Sequence, residues 1–325
     1  MGLRKAVITG ITGQDGSYLA EYLCAKGYEV TGIVRRLSNP NVTNLATVLD
    51  RITLIDGDMM DQTSLTQAVK SSAPDEVYNL AAQSFVGTSF TQPVLTGEIT
   101  ALGTLRLLEA VRLAAPEARV YQASSSEMFG HVASEPQDES TPFHPRSPYG
   151  VAKVYAYWAG VNYREAYSMF VSNGILFNHE SPRRGLEFVT RKITDGVARI
   201  AAKKCDRLVL GNLDARRDWG FAPDYVDLMW RALQHGTAED FVGATGESHT
   251  VREFVAAAFE VAGIDRWEDK VGADVRFNRP AEVFNLRGNP AKAKRVLGWQ
   301  AKTGFRELVR IMVTADLERY GLGPP

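Results

Sequence analysis

The stretch KAVITGITGQDGSYLAEYL, residues 5–23, constrains the fold of this chain more than any other. A β-branched run passes through glycines at 10, 13 and 16 into apolar residues at helical spacing, which Gly27 brings to an end. In a strand-turn-helix unit such glycines permit a tight turn, a close approach of backbone to a pyrophosphate, and packing of helix on strand, with the phosphate on the helix N-terminus. A bare glycine triplet is common; the strand before it and the helix after it supply the context that gives it meaning. The same rhythm continues. KAVIT, YEVTGIV, ITLIDG, DEVYNLA, ARVYQAS and SNGILFN read as strands, with SYLAEYLCAKG and TLRLLEAVRLAA as amphipathic helices between them. The pattern predicts an α/β fold with a Rossmann-like, doubly wound parallel sheet. After Asn178 longer helical segments take over, such as FVTRKITDGVARIAAKK and VREFVAAAFEVAG. The expected division is a dinucleotide-binding domain over 1–178 and, over 179–325, mainly a smaller mixed α/β lobe for substrate, with some segments returning to the sheet.

The charge balance, 37 basic against 38 acidic residues for a net charge of -1, gives no field that would gather nucleic acid or an anionic membrane, so small-molecule partners are expected. Two cysteines, Cys24 and Cys205, build neither a disulfide framework nor a cysteine zinc site, and no metal is expected. A reducing, cytoplasmic setting fits. The start MGLRKAVITG lacks the apolar run of a signal peptide, and no stretch is long enough to span a bilayer. Asn41-Val42-Thr43 reads as a chance glycosylation triplet.

Four further places carry chemistry. Where an NAD site would offer an acidic residue at the end of the second strand, Arg35 and Arg36 stand instead, two cations suited to the 2′-phosphate of NADP. Asp58 falls where the third strand would approach the adenine. SPYGVAK sets Tyr149 and Lys153 four apart, one above the other on a helix, where the ammonium can lower the phenol's pKa so that tyrosinate accepts a proton while hydride leaves the same carbon. In ASSSEMFG, Ser125 and Glu127 follow the end of a strand, at the sheet edge where such folds bind ligands. A reductase needs only the hydroxyl and the tyrosine; the added carboxylate suggests a second proton transfer at a neighbouring carbon. Ser124 and Ser126 read as structural hydroxyls that satisfy strand-end backbone groups.

Taken together, TGITGQDG, YNLAAQS, YQASSSEMFG, RSPYGVAK, GILFNHESPRRG, FVTRK and GNLDARRDWG resemble the GDP-mannose 4,6-dehydratase family, within the extended short-chain dehydrogenases/reductases. NHESPRRG and LDARRDWG are far more specific than the glycine triplet, and the resemblance reaches RPAEV and GNPAKAKRVLGW near the C-terminus. It implies a lyase without net redox change: Tyr149 with Lys153 takes the C4 hydroxyl proton as hydride passes from C4 to NADP, Glu127 removes the C5 proton and helps expel the C6 hydroxyl as water, Ser125 hydrogen-bonds the sugar, and hydride returns to C6. The product would be GDP-4-keto-6-deoxy-mannose.

By the same resemblance Gly10, Thr12, Gly13, Gln14, Asp15, Arg35, Asp58, Met59, Leu80, Ala81, Gln83, Lys153 and His179 would touch the cofactor. Arg184 would lie on a loop reaching a neighbouring subunit's cofactor, which implies a homodimer or homotetramer. Asn178, Lys192, Arg217, Arg279 and Glu282 would hold the GDP moiety, since a diphosphate needs cations. The chain departs from the family pattern at Ser125, where threonine is usual, at Asn278, where an aromatic is usual, and at Phe284, which replaces an aspartate. The last two point to a GDP-heptose as the other candidate substrate. A nucleotide-sugar epimerase or reductase on the same fold would have no need of Glu127. A non-catalytic NADP-binding protein would need none of Ser125, Glu127, Tyr149 and Lys153 as a set.

Overall fold

The computed structural model describes residues 2–38, 41–132, 134–274, 281, 283 and 285–323. The elements that position the site are, in chain order, β1 (Lys5–Thr9), α1 (Gln14–Ala25), β2 (Glu29–Val34), β3 (Ile52–Asp56), α2 (Gln62–Ser72), β4 (Glu76–Asn79), α3 (Gly103–Ala114), β5 (Arg119–Ser125), α4 (Pro148–Tyr167), β6 (Val171–Leu176), α5 (Val189–Ala201), α6 (Ala222–Gln234), β7 (Phe241–Gly243), α7 (Val251–Val261) and α8 (Phe305–Arg319). The seven strands form one parallel sheet in the order β3-β2-β1-β4-β5-β6-β7. The chain reverses its direction of travel across the sheet between β1 and β4, and the crevice outside that switch is where open α/β sheets take ligands. The six strands read from the sequence are all present; the seventh, only three residues long, returns to the sheet from the C-terminal half.

Alternation along the strands sorts the core into two layers. Ile8, Tyr78 and Tyr121 face α1 and α6, packing on Leu19, Leu23, Leu228 and Met229. Val7, Val77 and Val120 face the other way, onto Leu65 and Val69 of α2, Leu107 and Val111 of α3, and Tyr163 of α4. A third cluster, built from Ile193 and Val197 of α5, Phe254 of α7 and Met312 of α8 around Trp219, holds these C-terminal helices together. Truncating one of these buried leucines costs ~2–5 kcal/mol, so each layer is well secured.

Local signals set the ends of the helices. α1 starts at Gln14, earlier than its apolar spacing suggests, because the extended Gly13 opens it directly after the turn; it ends before Gly27, at φ +81°. Ser147 caps α4, accepting from Gly150 N at 3.0 Å, and Pro148 fills its first position. Thr250 and Glu253 close a reciprocal capping box at the start of α7. Among the described residues no helix is long and apolar enough to cross a membrane.

Candidate active site

A cleft of about 1180 Å³ runs along the C-terminal ends of β1 to β6. At its floor, Gly10 turns at φ +69°, and a Cβ there would stand about 2.9 Å from Ala81 N. A Cβ on Gly16 would run into Gly10 O. The turn therefore presents bare backbone and the N-terminus of α1, a cradle suited to a dinucleotide pyrophosphate. Thr9 Oγ1 accepts from Leu80 N and Ala81 N, both at 3.1 Å, and so fixes the β4 edge of this cradle against the β1 edge. Thr12 O accepts from Asn44 Nδ2 at 3.1 Å, and Gln83 N donates to Thr100 Oγ1 at 3.2 Å, which secures both rims. Arg35 projects, exposed, from the end of β2 and lines the cleft, whereas Arg36 does not. Asp58 lines it as well as making a turn, accepting from Met60 N at 2.9 Å, beside the buried Met59.

The reacting groups converge from β5 and α4. Ser125 ends the strand and caps the following single turn, its Oγ accepting from Glu127 N at 3.2 Å. Glu127 is buried there and lines the cleft. Gly150 brings α4 against this turn, since a Cβ at that position would meet Glu127 O at about 2.7 Å. Tyr149, in the first turn of α4, then reaches the Ser125 hydroxyl and hydrogen-bonds with it. Lys153, one turn on, donates to Ala123 O at 2.6 Å, with Nζ 5.8 Å from the centre of the Tyr149 ring.

The protonation states differ from the sequence expectation. Burial pushes the Tyr149 phenol up to about 12, the Ser125 hydrogen bond opposes the rise and the Glu127 charge adds to it. Burial likewise pushes the Lys153 ammonium down to about 8. Without ligands the lysine's proton is directed at a backbone carbonyl, and both groups are desolvated. Ser124 is a second correction: it is buried, lines the cleft, and its Oγ has no hydrogen-bond partner among the described residues, so it does not satisfy the strand end.

The opposite wall follows β6. His179 sets Nε2 2.7 Å from Asp15 Oδ2 and Nδ1 2.7 Å from Phe177 O, and its ring stacks on Tyr225 at 4.7 Å. Two acceptors on one imidazole require both nitrogens to carry protons. Burial opposes that charge, but Asp15 holds the His179 pKa above the ordinary value; burial also opposes the Asp15 charge, and His179 holds that carboxyl below its own. Gln14 Nε2 donates to His179 O at 3.0 Å. Asn178 lines the cleft beside them, and so do Lys192 at the start of α5, whose ammonium burial pulls down, and Arg217, which donates to Arg216 O and Val283 O at 2.7 Å each.

Arg184 stays in the cleft of its own chain, Nε 3.2 Å from Glu180 Oε2 and its guanidinium 3.6 Å from the centre of the Phe188 ring. A buried carboxylate and an aromatic face, each four residues away, hold the side chain there. Glu180 itself, which also accepts from Thr190 Oγ1 at 2.6 Å, was not singled out from the sequence; its only signal was its place directly after His179. Arg279 and Glu282, with Asn278 and Phe284, lie outside the described residues. Apart from Arg36, every other site residue read from the sequence lines this one cleft.

The family model for GDP-mannose 4,6 dehydratase matches residues 7–312. The chain belongs to the GDP-mannose 4,6-dehydratase family. GDP-mannose 4,6 dehydratase 1 of Arabidopsis thaliana is 52% identical, the alignment covering 96% of this chain and 90% of that protein. Among solved structures, UDP-glucose 4-epimerase of Thermus thermophilus in complex with NAD superposes with a TM-score of 0.84 at 26% identity, over 96% of this chain and 98% of that one. A dTDP-glucose 4,6-dehydratase from Streptomyces venezuelae superposes at 0.87 with 24% identity, over 98% of each chain, a likeness of fold alone. The GDP-mannose 4,6-dehydratase family thus shares its scaffold with epimerases, and the chemistry must be argued from the side chains.

Proposed function

We propose that this chain is a hydro-lyase that converts GDP-mannose to GDP-4-keto-6-deoxy-mannose and water with NADP as its resident cofactor. The observation that carries the reading is Glu127, a carboxylate on the same turn as Ser125 and against the helix turn that bears Tyr149. Gly10, Gly13 and the N-terminus of α1 would hold the pyrophosphate, with Asp58, Met59, Leu80, Ala81 and Gln83 along the remaining walls. Arg35 would meet the 2′-phosphate, which favours NADP over NAD. When bound, the cofactor supplies a hydride acceptor for C4 and a donor for C6.

The side chains do the rest. Tyr149 Oη takes the C4 hydroxyl proton, and Ser125 hydrogen-bonds the same sugar edge and holds the phenol in place. A phenol at about 12 is a poor base at neutral pH. Lys153 must therefore turn its ammonium from Ala123 O toward the ligand and the ring as the cleft fills. Glu127 removes the C5 proton and passes it to the departing C6 hydroxyl, and Tyr149 then gives the proton it took from the C4 hydroxyl to C5 as C6 is reduced, so carboxylate and phenol both end the cycle as they began. Lys192 and Arg217 would offset the charge of the diphosphate, with Asn178 beside them.

The chain is expected to work in the cytoplasm as a homodimer or homotetramer. Val151, Tyr155 and Trp158, 56%, 44% and 55% exposed, form an apolar stripe on the outer face of α4, the helix that carries Tyr149 and Lys153. A second copy would cover it.

The test is mass spectrometry of the nucleotide after incubation with GDP-mannose and NADP. Loss of one water without accumulation of reduced cofactor is expected, and an unchanged mass overturns the reading for this sugar. Glu127→Gln should still reduce the cofactor transiently while dehydrated product falls by ~10² to 10⁴. Normal turnover by that variant would remove Glu127 from the mechanism.

A further inference from the structure

The segment His179–Arg184 lies along one face of α1 and is fastened to it at three levels. At the first, His179 pairs with Asp15 at 2.7 Å. At the second, Gln14 donates to His179 O at 3.0 Å and accepts from Ser181 Oγ at 2.8 Å. At the third, Arg183 donates to Ser17 Oγ at 3.1 Å and to Glu21 Oε1 at 2.6 Å, with its guanidinium 4.0 Å from the centre of the Tyr18 ring. The other side of the segment faces the cleft, where Glu180 holds Thr190 and Arg184.

We propose that Arg183 is a positioning residue that couples the two ligands of the cleft: by clasping this segment to α1, it makes cofactor and nucleotide sugar bind with positive cooperativity. The proposal rests on the function given above. Gln14 and Asp15 belong to the turn that would receive the pyrophosphate, while Asn178, at the head of the segment, lines the same cleft and would hold the GDP moiety. Neither Arg183 nor Glu21 lines the cleft, so the pair acts on the ligands only through the segment. Whichever ligand binds first orders the shared segment, and the second then meets a wall already in place. The effect is reciprocal by linkage, so either ligand can be titrated.

The test measures the dissociation constant of NADP⁺ by titration calorimetry with and without saturating GDP. For the native protein GDP is expected to tighten NADP⁺ by about 5-fold or more. In Arg183→Ala that ratio should fall to within about twofold of unity, each binary constant staying within about twofold of its native value. Glu21→Gln keeps an acceptor for Thr47 but loses the charge facing Arg183, and should act in the same direction without removing an arginine from the fold. Amide exchange over 179–184 should slow when NADP⁺ binds to the native protein and slow less in either variant. A ratio of one in the native protein, or an unchanged ratio in both variants, overturns the clasp. GDP that binds without coupling sinks the clasp alone, whereas no GDP binding at all also overturns the proposed function.

Discussion

Lys153 offers a sharp quantitative test, because its ammonium is buried and its charge is costly to the fold. Its pKa lies at about 8 against an ordinary 10.5. Each unit corresponds to ~1.4 kcal/mol, so burial of the charged form costs the native state about 3 kcal/mol at pH 7. Against this, the hydrogen bond to Ala123 O at 2.6 Å returns ~1.5–3 kcal/mol. That carbonyl keeps a donor when the lysine goes, since Gln122 Nε2 stands 3.0 Å away. Lys153→Met should therefore abolish turnover and yet leave the ligand-free fold as stable as the native protein, or up to ~2 kcal/mol more stable, at pH 7. The pH dependence is the decisive part. Because the folded pKa lies below the unfolded one, the unfolded chain holds more protons between pH 8 and 10.5, and the native protein gains stability as pH rises through that window. Methionine cannot titrate. The stability difference between variant and native should shift by ~2 kcal/mol in favour of the native protein between pH 7 and 9.5, read from urea unfolding of both proteins without ligands. A difference that stays flat over that range would refute the buried-ammonium argument.

Gly150→Ala places a Cβ about 2.7 Å from Glu127 O, so it should destabilise by ~1–3 kcal/mol and cost more than tenfold in kcat, measured by melting temperature and steady-state rate; native values for both would show that α4 need not seat against that turn. Arg35→Asp should raise KM for NADP⁺ by ~10-fold or more and leave NAD⁺ little changed, and an equal loss for both cofactors would remove the 2′-phosphate argument.

Much of the sheet and the glycine turn could be read from the sequence because their signals are local. β-branched runs and a glycine triplet set between a strand and a helix each act within a few residues. What stayed hidden depends on distant partners. The pairing of Asp15 with His179 joins residues 164 apart in sequence, and nothing local marks it. The helical stretches over 86–102 went unread because TQPVLTGEIT is rich in proline, glycine and β-branched residues, and the tertiary fold overrides that weak propensity. β7 is a three-residue strand, too short to show a period. At the site, residue types were legible but protonation was not: the four-residue spacing brings Lys153 beside Tyr149, while only burial decides that the phenol rises rather than falls.

The last strand of the sheet has a consequence for how the protein is made. β7 covers the open edge of β6, and α6 covers the face formed by Tyr78 and Tyr121, yet both come from residues 222–243. A nascent chain that has emerged only through β6 carries six paired strands with the β6 edge bare and the apolar face beside α1 only partly covered, and at ~5–20 residues per second it stays so for several seconds. Native closure of the sheet waits until Gly243 has left the ribosome. A stall or truncation between 176 and 243 should therefore yield an aggregating fragment rather than a soluble domain, and the cell must shield that interval with chaperones.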